Sequence, residues 1–483
     1  KGQWIMSFDY GMHGNFGESK AKNNSGFGNE DEFEATQRVR LQLDAVASEA
    51  LSGTVFFEIG DQVWGDNDNG GALGADGKVV ELKRAYIDWM VPQTDLKVRM
   101  GIQGLALPSF TTKASQIIDD DVAAISLNYQ FNENVGLTAF WARPYNDNAG
   151  YYKNSDFGGT QYDNYMDNMD MFAVLLPLTF DGVKVTPWVM YAAMGPGMID
   201  GKENDKGQWV MSSFGNAWGR AGAGMVSGFR GTDKWDTYGN AFWAGVTGEV
   251  TLWDPFRIAW DVNYGSAAYE DQKLNREGWL ASLLLEYKLD WGTPGLYGWY
   301  STGDDNNPRN GSERMPVVSA NGNNQFSNFA FNGNPYIARE GILGSTMVGT
   351  WGIGARLKDV SFLEDLKHTL RVNFMGGTNA PKMAKYVRND GKDFQKRGTE
   401  SLAEYGLGYD PMYLTTDDYA LEVGLTNTYK MYDNFTVMLD AAYVALWLDD
   451  STSTWGKNPG RSALGGDGVY DAWNVNLSFV YSF

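Results

Sequence analysis

Along the whole chain, segments of about ten residues carry apolar side chains at every second position and polar ones between. Successive side chains of a β-strand point to opposite sides, so each segment has one greasy face and one wet face. The last segment is the clearest. Trp473, Val475, Leu477, Phe479, Tyr481 and Phe483 share one parity; Asn474, Asn476, Ser478 and Ser482, with Val480 among them, share the other. Likewise Val39, Leu41 and Leu43 alternate with Arg38, Arg40, Gln42 and Asp44, and Val98, Met100 and Ile102 with Lys97, Arg99 and Gln103. Read this way, the chain holds about 18 strands, with 16 as the alternative. They span 3–13, 33–46, 52–60, 80–91, 95–104, 122–131, 135–143, 168–179, 183–193, 239–252, 256–265, 277–289, 293–301, 346–358, 368–376, 418–431, 435–445 and 470–483.

The connections alternate between short and long. Pro92–Asp95, Asn132–Asn134 and Asp290–Gly292 are short; 14–32, 61–79, 105–121, 144–167, 194–238, 302–345, 377–417 and 446–469 are long. An all-β, antiparallel up-and-down barrel produces that rhythm, with short turns at one rim and long loops at the other. An even strand count brings both chain ends to the short-turn rim. Three spots fit less simply. Pro187 falls inside the ninth strand, where it removes a ladder donor. The stretch 194–238 has room for an extra hairpin, and Ser361–Leu366 reads as a short helical turn.

Which way the greasy face points separates a soluble sandwich from a membrane barrel. No apolar run is long enough for a transmembrane helix. A spanning chain of this kind must therefore close on itself as a barrel. The expected strands are long, and a strand of about 9–11 residues spans a bilayer. Phe256 and Tyr264, Trp279 and Tyr287, Tyr419 and Tyr429, and Phe435 and Tyr443 bracket their faces eight to ten residues apart. Along a barrel axis that is roughly 20–25 Å, the height of an apolar band between two aromatic girdles. The opposite face carries Arg38, Arg84, Arg99, Arg257, Glu286, Arg371, Glu422 and Asp440 in mid-strand. A wide, water-filled lumen solvates such charges, whereas a small packed core does not.

Composition excludes several functions. There is no cysteine, hence no disulfide or thiol chemistry. A net charge of -21 argues against nucleic acid. The two histidines, His13 and His368, lie in distant strands, which disfavours a barrel lipase or protease. A soluble glycan-binding β protein is a third reading. No signal peptide is visible at Lys1, as expected of a mature form or of a chain that is not secreted. Asp66 and Asp68 open a calcium-type pattern, but its twelfth position is Gly77 instead of glutamate. The segment reads as a surface loop, so no cofactor is expected. Acidic loops such as Asp304-Asp305 and Asp449-Asp450 are candidates to hold Ca²⁺ or Mg²⁺ against lipopolysaccharide.

The alternating end Leu477, Phe479, Tyr481 and Phe483, with the strand rhythm, resembles the trimeric porins of Gram-negative outer membranes, in style the major porins of sulfate-reducing bacteria. The resemblance implies a homotrimer in the outer membrane, passing small hydrophilic solutes and ions passively. It also implies that Phe483, with Tyr481 and Phe479, is read by the barrel-assembly machinery. Family members with 16 strands are general pores, and those with 18 are selective for sugars or other substrates. By resemblance, the third long loop, 105–121, folds inward as a constriction and brings Asp119, Asp120 and Asp121 toward a basic wall. Arg38, Arg40, Arg84, Lys97 and Arg99 share the lumen parity and can form that wall. Cations facing carboxylates across a narrow gap set ion preference. The plainer alternative is solvated ion pairs with Asp44, Glu58 and Asp88.

Overall fold

The computed structural model describes residues 1–12, 16, 31–68, 70–75, 77, 80–146, 168–195, 201–203, 209–211, 239–268, 272, 275–307, 309–384, 412–459, 464 and 468–483. His13 and most of the long connections 14–32, 144–167, 194–238 and 377–417 lie outside them.

Eighteen antiparallel strands form one closed barrel. The first six are β1 (Gly2–Met12), β2 (Asp31–Ser48), β3 (Leu51–Val63), β4 (Val80–Met90), β5 (Lys97–Ala106) and β6 (Ile118–Gln130). There follow β7 (Gly136–Asn146), β8 (Asn168–Leu175 and Leu178–Phe180), β9 (Val183–Met194), β10 (Gly239–Val250), β11 (Phe256–Ala268) and β12 (Arg276–Tyr287). The last six are β13 (Thr293–Ser301), β14 (Thr350–Leu363), β15 (Leu366–Gly377), β16 (Tyr419–Tyr432), β17 (Phe435–Trp447) and β18 (Ala472–Ser482). The circle closes between β1 and β18, in register from Gln3–Ser482 to Gly11–Asn474.

Alternation explains both faces. Trp4, Phe256, Leu283, Leu296, Ile353, Val423 and Leu439 stand exposed on the outside. Asp9, Ser126, Asp261, Glu286, Asn373, Glu422, Asp440 and Asn476 are buried inside. Water-soluble proteins have the opposite polarity; apolar-out and polar-in is the arrangement lipid requires. Aromatic pairs mark two ends of the outer face of β11 and β12. Phe256 packs edge-on against Tyr287 and Tyr264 lies tilted against Trp279, each with centroids 4.7 Å apart.

Pro187 is tolerated for a local reason. It pairs with Val246 on the β10 side, while on the other side β8 breaks between its two pieces. The ladder there resumes at Trp188–Leu175 and Val185–Leu178, so the missing donor falls in the break. Within 194–238 a short pair does occur, Gly201–Glu203 with Trp209–Met211. Ser361–Leu366 is not helical. β14 and β15 join there in a tight hairpin, with Leu363 opposite Leu366 and Asp365 at φ 64°.

The barrel is not empty. The segments 107–117 and 302–349 leave the wall and pack inside. Met315, Phe326, Phe331, Leu343 and Met347 of the second are fully buried. Ser319–Ala320 runs parallel to Ile118–Asp119 at the start of β6.

Candidate pore and its inward segments

The loop expected over 105–121 is shorter in the structure. β5 continues to Ala106 and β6 begins at Ile118, because their ladder extends to Ala106–Asp119. Asp119, Asp120 and Asp121 thus belong to the wall. The remaining loop, 107–117, carries Lys113 as its only charge.

Its tip is held by a carboxylate on the wall. Asp261 of β11 accepts hydrogen bonds from the backbone N–H of Phe110 at 3.0 Å and of Thr111 at 3.1 Å. It also accepts the hydroxyls of Ser109 at 2.7 Å, Thr111 and Thr247. Arg257 donates to the carbonyl of Phe110 at 2.8 Å.

The segment 302–349 is fastened in the same way. Glu422 of β16 accepts three successive backbone N–H groups, those of Asn328 (2.9 Å), Phe329 (2.6 Å) and Ala330 (2.9 Å). Ser327 Oγ and Asn373 Nδ2 donate to the same carboxylate. A run of backbone donors around one anion is a nest, here with the anion supplied by the wall. Phe326 stacks on Tyr297, centroids 4.1 Å apart. Asn328 reaches Asp440, and Arg371 donates to the carbonyl of Gln325 at 3.1 Å. Farther along, the carbonyl of Ile337 accepts from Asn476 of β18 at 3.0 Å, and Arg339 pairs with Asp9 of β1 at 2.8 Å. The polar parity of β1 and β18 therefore anchors this segment. At its root Asp304 accepts from Ser312 and Tyr413. Burial pushes the Asp304 carboxyl above the ordinary carboxylate range. The two segments also join each other. Gln325 N donates to the carbonyl of Thr112 at 2.9 Å, and Met347 N to Gln116 Oε1 at 3.0 Å.

The basic residues lie on neighbouring strands, as their parity implied, and each meets a wall carboxylate. Arg38 pairs with Asp61 and, at 3.7 Å, with Glu58; Arg40 meets Glu58 at 2.6 Å. Lys97 and Arg99 share Asp88 at 3.1 and 2.6 Å. Arg99 also covers the ring of Tyr86, 4.0 Å from its centroid. Lys83, not anticipated, lies 3.7 Å from Glu58 and 3.1 Å from Asp121. A bulge explains it. Phe56 faces Arg84 and Phe57 faces Leu82, so Lys83 is the extra residue. Arg84 meets Asp121 at 2.5 Å. Asp120 accepts from Ser319 and Asn321, and Asp119 lies beside Gly322. The three aspartates thus touch their own wall and the second inward segment; they do not stand on a loop across a gap.

Exposure orders these charges. The Lys97 side chain keeps 42% of its surface and Asp88 18%; Arg40 keeps 24% and Glu58 10%. Lys184 and Arg257, grouped with Arg356 around Glu249 and Glu286, repeat the pattern. Two arginines depart from it: Arg38 lies behind Asp61, and Arg356 keeps 4% of its surface against 6% for Glu286. Elsewhere, His368 hydrogen-bonds Asn427 at 2.6 Å. Asp66 Oδ1 accepts the backbone N–H of Asp68 at 2.8 Å in a turn. Among the described residues no cluster of acidic or histidine side chains is arranged to hold a metal ion.

No family model matches the sequence, and no curated protein matches it. Solved structures do match in fold. OpdL of Pseudomonas aeruginosa has 10% identity and TM-score 0.51, covering 99% of this chain and 97% of that one. The outer membrane protein OpdK of the same organism has 10% identity and TM-score 0.50, with coverages of 100% and 98%. A BenF-like porin from Pseudomonas fluorescens Pf-5 has 9% identity and TM-score 0.50, with the same coverages. At such identities the likeness is one of fold, that of an 18-stranded outer-membrane barrel.

Proposed function

We propose that this chain is a passive channel in the outer membrane of a Gram-negative bacterium, admitting small hydrophilic solutes and favouring anions. The observation that carries this reading is the order of charges on the lumen face. Arg40, Lys97 and Arg99 stand toward the water, and Glu58 and Asp88 lie behind them. Behind a cationic front in a narrow, low-dielectric bore, anions are concentrated and cations repelled. The selectivity then comes from the wall itself, with the inward segments supplying the narrowing.

One observation favours a selective channel for small organic acids over a general pore. The segment 302–349 packs inside the barrel and is fixed at Glu422, Asp440, Asn476 and Asp9, so that whatever passes meets a surface held in place. Reversal potentials across a planar bilayer under a salt gradient test the reading. An anion-favouring potential supports it. A potential unchanged when Arg40, Lys97 and Arg99 are replaced by glutamine rejects it.

A further inference from the structure

The seam between β4 and β5 closes along only part of its length. Its ladder runs from Met90–Lys97 to Ala85–Ile102 and ends there. Beyond that point β4 stays with β3 up to Val80–Ile59, and β5 stays with β6 up to Ala106–Asp119. The wall divides into a V that opens toward the long-loop rim. The bulge at Lys83 and the φ of 131° at Gly101 lie at the point of divergence.

Arg84 threads this V. It stands opposite Phe56 on the lumen parity. Yet a Cβ built on Gly104 would meet Arg84 Nη2 at 2.8 Å and Cζ at 2.9 Å. Gly104 shares its face with Met100 and Ile102, which are exposed on the lipid side. The partner, Asp121, shares the outward parity of Ala123 and Ile125. The Arg84 side chain remains 41% exposed. A guanidinium has five N–H donors. Among the described residues only Nε of Arg84 has an acceptor, Asp121. Val80, Leu82 and Ile102 form exposed apolar lips.

We propose that the V is a binding site for a single-chain amphipathic carboxylate, a fatty-acid-type anion, approached from the lipid side. The free end of the guanidinium is a planar fork that matches a carboxylate bidentately. Lys83, 3.1 Å from Asp121 and 3.7 Å from Glu58, adds a second cation, while Asp120 is turned inward onto Ser319 and Asn321 and Asp119 lies beside Gly322. The lips give the hydrocarbon chain an apolar bed continuous with the bilayer. The proposal rests on the reading of this barrel as a membrane-spanning channel.

The test uses the full barrel in phospholipid vesicles with a diazirine-bearing palmitic acid, irradiated, digested and mapped by mass spectrometry. Cross-links concentrated in 80–84 and 102–106, displaced by palmitate but not by acetate or hexadecanol, are expected. Gly104→Val puts a side chain where the guanidinium rests and lowers that labelling about tenfold, the equivalent of one lost charge-assisted contact. Leu82→Asn, on the lip, lowers it without touching Arg84, and heat-modifiable gel mobility identifies folded barrels. Labelling spread evenly around the apolar belt, or undiminished in both folded variants, overturns the site. Failure of the channel reading is a different result: no open-channel current, with the labelling intact.

Discussion

Glu422, on the barrel wall, accepts the backbone N–H of Phe329 at 2.6 Å in the interior of the barrel. Asp261 does the same for Thr111 at 3.1 Å. Two separate segments are thus each fastened by one wall carboxylate to successive backbone donors. Buried donors left without an acceptor cost about 1–3 kcal/mol each. The two carboxylates therefore hold the interior of the barrel in shape.

Glu422→Ala removes the acceptor of three backbone N–H groups at once. The expected result is a looser 302–349 segment, a larger and noisier single-channel current, and faster proteolysis of that segment. The loss of folding stability is about 3–5 kcal/mol, read from denaturant titration. A current and cleavage pattern identical to the parent protein would show that Glu422 does not hold the segment.

Asp261→Ala frees the tip of 107–117 instead. Because Thr112 and Gln116 bond to the second segment, the two substitutions share partners. Their effects on conductance are expected to be non-additive, with a coupling of about 0.5–3 kcal/mol in stability from a double-mutant cycle. Simple additivity would mean that the segments act independently.

Ion preference should fade with salt. The lumen cations are partly hydrated, and the screening length falls from about 10 Å at 0.1 M to about 3 Å at 1 M. Reversal potentials measured at the two concentrations, with the same tenfold gradient, are expected to show weaker anion preference at the higher one. Arg99→Gln lowers it at 0.1 M, because Asp88 is left with Lys97 alone. Equal selectivity at both concentrations would point to bore size in place of charge.

The outer face is testable through folding. Leu283 is exposed on the lipid side of β12. Leu283→Arg should cost about 2–4 kcal/mol in refolding into vesicles if its position is near the bilayer midplane. A matched Ser282→Arg change faces the lumen and Asp261. If the lumen substitution alone were costly, the assignment of faces would be inverted.

The closing seam is tight. A Cβ on Gly11 would meet the Trp473 carbonyl oxygen and, at 2.9 Å, the Asn474 Cα. Neither backbone atom can move without disturbing the β1–β18 ladder. Gly11→Val is expected to destabilise closure by about 1–3 kcal/mol, read as a lowered temperature for the heat-modified gel shift. An unchanged shift temperature would mean that the seam has slack.

Much of the barrel could be read from period-2 alternation, because lipid and water impose opposite demands on the two faces of every strand. Trp473, Val475, Leu477, Phe479, Tyr481 and Phe483 share one parity in the sequence, and that parity is enough to give the last strand its two faces. The interior was less legible. The start of β6 was hidden because Asp119, Asp120 and Asp121 break the apolar alternation. Lys83 was missed because a bulge turns two consecutive residues out of phase. The stretch 302–345 reads only as a long connection, and the strand expected from 346 begins at Thr350. A sign was present: from Met315 to Ala338 there is no charged residue, and Phe326, Phe329 and Phe331 crowd together. A loop facing open water has no need of that pattern; one packed inside a barrel does. Which carboxylates would receive its backbone donors depends on distant pairings that local sequence does not encode.

The central claim is that the barrel conducts, and that its lumen cations set what passes. Single-channel recording of purified, heat-modifiable protein in a planar bilayer tests it most directly. Stepwise open-channel currents, with a reversal potential that favours anions and moves toward zero in the Arg40, Lys97 and Arg99 glutamine variant, are the predicted result. A folded barrel that inserts but carries no current, or one whose selectivity ignores those three residues, would contradict it.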